Sequence, residues 1–269
     1  MKDVTLTPKP QPKIPIEAEV ISPDSFAGKK AEEIAKLPVW KGNNQTTLGE
    51  FFKVGGDAPA KPSELRIIIT GNASRTKYIG TRMTAGEIVI EGDVDMRVGN
   101  EMEGGRIVVR GNAGSFAGMA MRGGELVIRG NAGEYLGSAY RGDWRGMQGG
   151  TITVEGNVGN EAGTWMRGGI ITIKGNSGAF TGTHLQSGTI IIEGTPGPRL
   201  GAQMEGGTIV ALGKVEELLP GFAYKEPVPE VKVGERLLKG PFLRFSGDLS
   251  EKGKGQLLLL IEKNSHFFK

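Results

Sequence analysis

The sequence has no cysteine, only two histidines, and no aliphatic run longer than the five residues from Leu257 to Ile261. Each shortage removes a class of chemistry. Without thiolates this chain can make no disulfide, no cysteine-ligated zinc, no iron–sulfur cluster and no cysteine nucleophile. His184 and His266 are the only imidazoles, and neither has the Asp/Glu spacing of a metal site or of a nucleophile–base pair beside it. Nothing approaches the ~20 apolar residues that span a bilayer, and the opening MKDVTLTPKPQPKIP lacks the apolar centre of a secretion signal. A soluble, cytoplasmic protein without a membrane partner is expected. Charge of one sign is scarce too: 33 basic and 30 acidic residues are interspersed, so there is no basic stripe and nucleic acid is not expected as a partner.

What the chain has instead is glycine, 45 of 269 residues, more than twice the ~7% of an average protein. Segments such as GELVIRG (124–130) break the every-third-residue period of collagen. The glycine is also local, because 34 of the 45 lie between Ile67 and Gly213. Gly92, Gly111, Gly130, Gly156, Gly175, Gly194 and Gly213 follow short apolar triplets at steps of 19, 19, 26, 19, 19 and 19 residues. They close a 13-residue core, Gly/Trp-x-x-Met/Leu-x-x-Gly-x-Ile/Leu-x-Ile/Val/Ala-x-Gly, that occurs seven times: 80–92, 99–111, 118–130, 144–156, 163–175, 182–194 and 201–213.

The triplets, from IVI (88–90) to IVA (209–211), are apolar at their first and third positions while the middle one admits threonine. That is the alternation of a short strand with one buried face. No helical stretch separates them, so an all-β fold is expected: a parallel β-helix, or solenoid, of about seven 19-residue coils with capping segments at both ends. Strand spacing of ~4.8 Å makes seven steps a rod of roughly 30–35 Å. Stacking turns each repeat position into a column. Met83, Met102, Met121, Met147, Met166, Leu185 and Met204 form one, read as a core stripe of flexible thioethers. Asp93, Asn112, Asn131, Asn157 and Asn176 form another, read as an Asn ladder at a turn where left-handed backbone is tolerated. Along the outer edge Glu91 is expected beside Arg110, Arg129 beside Glu155 and Lys174 beside Glu193.

The 26-residue step holds a seven-residue insertion within GSAYRGDWRG (137–146). Tyr140, Arg141, Asp143, Trp144 and Arg145 must leave the coil there, and an insertion on a solenoid marks a working face. Its Trp, Tyr and Arg content is that of an interface hot spot, so these five are the candidate partner-contact residues. Residues 1–66 read as an N-terminal cap with a helix about Lys29 to Leu37, residues 67–213 as the array, and residues 214–269 as a C-terminal extension with two strands around a polar turn. No catalytic, cofactor-binding or metal-binding residue is assigned. A Walker A loop is absent, and the glycines recur seven times with no helix after them, unlike a dinucleotide fingerprint.

The seven repeats, the interrupting YRGDWRGM (140–147), the LPGF at 219–222, LTPK at 6–9 and FAGK at 26–29 together resemble the C subunit of formylmethanofuran dehydrogenase. The glycine repeat alone is similar to the C-terminal domain of the glutamate synthase large subunit, so a stand-alone β-helix subunit of an archaeal split glutamate synthase is the alternative. The first resemblance implies a right-handed β-helix that serves as a non-catalytic scaffold in a cytoplasmic, archaeal oxidoreductase complex of methanogenesis. That complex interconverts carbon dioxide, methanofuran and reduced ferredoxin with formylmethanofuran and water. The tungsten or molybdenum pterin, iron–sulfur clusters and binuclear metal site would belong to partners, including the pterin–metal subunit and the amidohydrolase subunit. It also raises the reading that Arg141 or Arg145 meets the acidic tail of methanofuran.

Overall fold

A computed structural model describes residues 1–268. The chain is mostly β. Eight strands precede or open the array: β1 (Lys2–Pro8), β2 (Ile16–Glu17), β3 (Pro38–Lys41), β4 (Asn44–Thr47), β5 (Phe52–Gly55), β6 (Leu65–Ile69), β7 (Thr76–Lys77) and β8 (Glu87–Ile90). The array continues through β9 (Arg106–Val109), β10 (Glu125–Ile128), β11 (Thr151–Val154), β12 (Arg167–Ile173), β13 (Ser187–Ile192) and β14 (Thr208–Ala211). Then come β15 (Ala223–Tyr224), β16 (Val228–Val233), β17 (Arg236–Gly247) and β18 (Gly255–Leu260). Helices are short: α1 (Pro23–Phe26), α2 (Ala31–Ala35) and α3 (Ile261–Asn264). None of those described is long and apolar enough to cross a membrane.

The triplets pair in parallel and in register, Ile88 with Ile107, Leu126 with Ile152, Ile171 with Ile190, through one open sheet. A second parallel column runs through single bridges from Ala73 to Val94, Ala113, Ala132, Val158, Ser177 and Pro196. Between them lies one apolar core that takes in the outer triplet positions and the methionine column, with Met83, Met102, Met121, Met147, Met166, Leu185 and Met204 all fully buried. Each such side chain contributes roughly 1.5–3 kcal/mol of transfer free energy.

The ladder reaches beyond 67–213 at both ends. β1 lies parallel to β6, Val4 opposite Ile67, so the N-terminal segment supplies a strand as well as a cover. β18 continues the ladder from β14, Ile209 opposite Leu257, and β17 returns antiparallel to it. The expected helix about Lys29 to Leu37 is the shorter α2.

The repeat glycines work by two different means. Gly111 and its equivalents lie where coils touch: a Cβ on Gly111 would fall 2.4 Å from Asp93 Oδ1 and 2.6 Å from the Gly92 carbonyl carbon. Positive φ belongs to other positions, such as Gly118 (+64°) and Gly137 (+63°). Gly137, not Trp144, therefore opens the fourth unit. Its virtual Cβ meets Ile171 Cδ1 as that of Gly118 meets Ile152 Cδ1, and Met147 N–H donates to Gly137 O as Met121 N–H does to Gly118 O. The motif alignment fails there because seven extra residues separate the turn from its methionine.

The polar column is a ladder, though not on left-handed backbone: the side-chain amides of Asn112 and Asn131 donate to Asp93 (3.0 Å) and Asn112 (3.3 Å) one rung back, and bonds to backbone run the length of the column. Each side-chain oxygen accepts the backbone N–H of the same position one coil on: Asp93 from Asn112 (2.7 Å), Asn112 from Asn131, Asn131 from Asn157, Asn157 from Asn176 and Asn176 from Thr195 (all 2.8 Å). On the outer edge Arg110 pairs with Glu91 (3.1 Å) and Arg129 with Glu155. Lys174 turns instead to Glu155 (3.2 Å), and Glu193 is taken by Arg236 (2.8 Å) from the C-terminal hairpin.

Candidate docking face

Two turn columns build the face that carries the insertion. At Tyr78, Arg97, Phe116, Tyr135, Glu161, Phe180 and Arg199 the backbone is left-handed, with φ between +59° and +67°. That conformation costs an L-residue roughly 1–2 kcal/mol. It is held by hydrogen bonds to the next coil, such as Arg97 N–H to Ser115 O (3.0 Å) and Phe116 N–H to Glu134 O (2.8 Å). A second left-handed column holds Arg82, Glu101, Ala120, Trp165, His184 and Gln203. Equivalent side chains on successive coils sit about one strand spacing apart, ~4.8 Å, close to the separation of stacked rings. Phe116 stacks on Tyr135 at 4.7 Å and Trp165 on His184 at 4.0 Å.

The insertion leaves the second column after Ala139 and rejoins at Gly146, whose N–H donates to Trp165 O (3.0 Å). All five candidate contact residues are gathered there, and each is tied down. Tyr140 is half exposed and lies 4.9 Å from the Arg97 guanidinium, which also covers Tyr78 (5.1 Å) and Phe116 (5.5 Å). Arg141 donates to the Tyr135 hydroxyl (3.2 Å), which itself donates to Glu161 (3.0 Å). Asp143 accepts both arms of the Arg145 guanidinium (3.0 Å each) and the N–H groups of Trp144 (2.7 Å) and Arg145 (3.1 Å). The Arg145 guanidinium holds the Asp143 carboxyl below its ordinary range, against a smaller opposing effect of burial and with help from those two N–H donors. Trp144, half exposed, has Arg167 at 4.5 Å and Arg145 at 5.8 Å from its ring.

Between this loop and the coils is a cleft of about 370 Å³, with Met119 and Ala120 on one side and Tyr140, Asp143 and Arg145 on the other. It exists because the second column narrows to Ala120. The arrangement offers rigid aromatic and guanidinium surface, the chemistry of a protein contact. It offers no nucleophile with a base. Among the described residues no three His, Cys, Asp or Glu side chains could hold a metal ion. His184 is spent on the Trp165 stack, and the His266 Nε2 lies 3.1 Å from Val215 O. Sequence reasoning missed Arg97, Tyr135, Trp165 and Arg167. The signal was their 19-residue register, since their residue types vary along each column.

No family model matches the chain. It is 61% identical, over 99% of both chains, to the C subunit of the tungsten-containing formylmethanofuran dehydrogenase 2 of Methanothermobacter thermautotrophicus. It is 55% identical, again over 99% of both, to the C subunit of the tungsten-containing formylmethanofuran dehydrogenase 2 of Methanococcus maripaludis. Its fold matches a chain of the formyltransferase/hydrolase complex of Methylorubrum extorquens, determined with methylofuran, at a TM-score of 0.83 and 29% identity, over 95% of this chain and 99% of that one.

Proposed function

The chain belongs to the family of formylmethanofuran dehydrogenase C subunits, and from that membership we propose that it is the non-catalytic scaffold subunit of a formylmethanofuran dehydrogenase complex. The complex interconverts carbon dioxide, methanofuran and reduced ferredoxin with formylmethanofuran and water. The observation that carries this reading is identity above one half along the whole length of two subunits so named. The glutamate synthase alternative is not favoured by relatives of that name. The scaffold is a right-handed parallel β-helix of about seven coils, capped by 1–66 and 214–269, and two parallel columns of pairing support the winding.

Metal–pterin chemistry belongs to partner subunits. The residues of this chain do not fit such groups, having no thiolate and, among those described, no ligand cluster. The chain's part is to hold catalytic subunits in place, with Tyr140, Trp144 and Arg145 as the contact on one face. Tagging this chain in its host and purifying it under reducing conditions should bring down a metal–pterin subunit and formylmethanofuran dehydrogenase activity. Recovery of the chain alone, or with a flavin amidotransferase, overturns the proposal. Trp144→Ala with Arg145→Ala should release the partners while the chain stays folded; unaltered co-purification removes the loop from the contact.

A further inference from the structure

Along the ladder the arginines are matched within the chain: Arg106 bonds Glu87 and Glu125, Arg122 bonds Glu101 and Glu103, and Arg236 bonds Glu193. At the C-terminal margin of the sheet the matching stops. β15, β17 and β18 lie side by side there, with Tyr224 opposite Phe245 and Ser246 opposite Gln256. Side chains alternate across a strand, so Arg244 and Ser246 of β17 share one face with Gln256 of β18. Arg244 lies opposite Leu258, which the β16–β17 hairpin covers with Val233, Leu238 and Phe242, so the face is the outer one, just past the edge of that cover. Lys225 follows β15 and is fixed beside Arg244, its N–H donating to the Arg244 carbonyl (2.8 Å).

Lys225, Arg244, Ser246, Lys254 and Gln256 line a pocket of about 180 Å³ with Phe245, the volume of about six water molecules. Its donors are unspent within the chain. Among the described residues the Lys225 and Lys254 ammoniums, the Ser246 hydroxyl and the Gln256 amide make no hydrogen bond or ion pair. Arg244 does have a partner, since a terminal nitrogen contacts the largely exposed Glu226. Its Nε, however, is buried and bonds to nothing, a costly state for a donor. The other carboxylates near this end are engaged: Asp248 accepts the N–H groups of Ser250 and Gln203, Glu251 accepts the Gln203 amide and Glu205 that of Gln186. Three cations against the one carboxylate of Glu226 leave two positive charges unmatched, and like charges gathered on adjacent strands repel. A phosphate group carries about −1.5 to −2 at pH 7 and three strong acceptor oxygens, which suits both the charge and the spread of the donors. A planar carboxylate is matched best by a guanidinium fork, and Glu226 already occupies that of Arg244.

We propose that this pocket binds a phosphate group, free or as the monoester end of a small molecule, between Lys225 and Lys254, with the Arg244 Nε and the Ser246 hydroxyl donating to its oxygens. The site shares no residue with the insertion and does not depend on the chain working inside a complex.

Isothermal titration of the full-length chain with inorganic phosphate, at ionic strength held constant with chloride, should show a single saturable site. Lys225→Ala with Lys254→Ala should weaken binding at least tenfold and leave the melting profile unchanged, because both side chains are exposed. Lys29→Ala with Lys53→Ala, two exposed lysines of the N-terminal segment, should bind as the unaltered chain does. Glu226→Gln removes the competing carboxylate and should tighten binding at least twofold. Glycerol 3-phosphate in place of inorganic phosphate separates the two sources: tighter binding assigns the pocket to an ester, weaker binding to the free ion. Absence of saturable heat, acetate binding as tightly as phosphate, equal losses in the two lysine pairs, or weaker binding by Glu226→Gln overturns the proposal.

Discussion

The guanidinium of Arg97 lies 4.9 Å from the ring of Tyr140, so a side chain two rungs before Tyr135 holds the irregular loop against the regular coils. An exposed cation–π contact is worth ~0.5–1 kcal/mol and a desolvated one ~2. Arg97→Ala should therefore speed amide hydrogen exchange across 139–146 roughly two- to thirtyfold, with Arg97→Lys in between. Unchanged protection would show that the backbone alone fixes the loop.

The polar ladder makes a sharper distinction. Asn131 Oδ1 accepts the Asn157 N–H at 2.8 Å. Asn131→Leu removes that acceptor at an exposed rung and should cost about 0.5–1.5 kcal/mol in urea unfolding, whereas Asn131→Asp keeps an acceptor and should cost much less at neutral pH. Equal losses would mean that side-chain volume, and not the acceptor, matters here.

Two glycines should respond in different ways to the same added methyl. At Gly111 the new carbon meets Asp93 Oδ1 at 2.4 Å and backbone at 2.6 Å, and overpacking of this kind costs about 1–3 kcal/mol or more. At Gly142 nothing lies within 4 Å, and only the positive φ of +86° is penalised, by roughly 1–2 kcal/mol. Thermal melts of Gly111→Ala and Gly142→Ala should fall in that order; the reverse order would show that coil contact is not what demands glycine at Gly111.

Stability toward acid should depend on Asp248. Burial pushes its carboxyl up, but the N–H groups of Ser250 and Gln203, each 3.0 Å away, together with the Ser250 hydroxyl outweigh burial and leave it below the ordinary carboxylate value. A folded-state value below the unfolded one means that its stabilisation is complete above the unfolded value and disappears as pH falls through the folded one. Unfolding midpoints of the unaltered chain and of Asp248→Asn should thus converge on acidification. Curves that stay parallel would remove Asp248 from the acid response.

The period of the array, its strand register and the buried methionine column are legible in the sequence because 19-residue spacing turns composition into geometry. The ends are not. β1 and β18 join the same ladder at separations of 63 and 48 residues, so no repeat announces them. The fourth unit misaligns at Trp144 because the insertion falls between Gly137 and its methionine, and a motif read backward from Met147 lands inside the loop. Adjacency alone pairs Lys174 with Glu193, yet the ladder offers two neighbouring rungs and Arg236 reaches one of them first. Of the candidate contact face, the insertion is visible as broken spacing. Its supports, Arg97 and Arg167, are hidden because the left-handed columns constrain backbone shape and leave side-chain identity free.

The long separations that close the ladder carry a kinetic consequence. Interior rungs join residues 19 apart, as Glu87 and Arg106 do, whereas Arg66 reaches Asp3 across 63. Closing the longer loop costs about 1 kcal/mol more entropy, and contacts distant in sequence form late. The central coils should assemble first and acquire β1 and β18 afterwards, so the last event in folding is the one that shields the two raw edges of the stack.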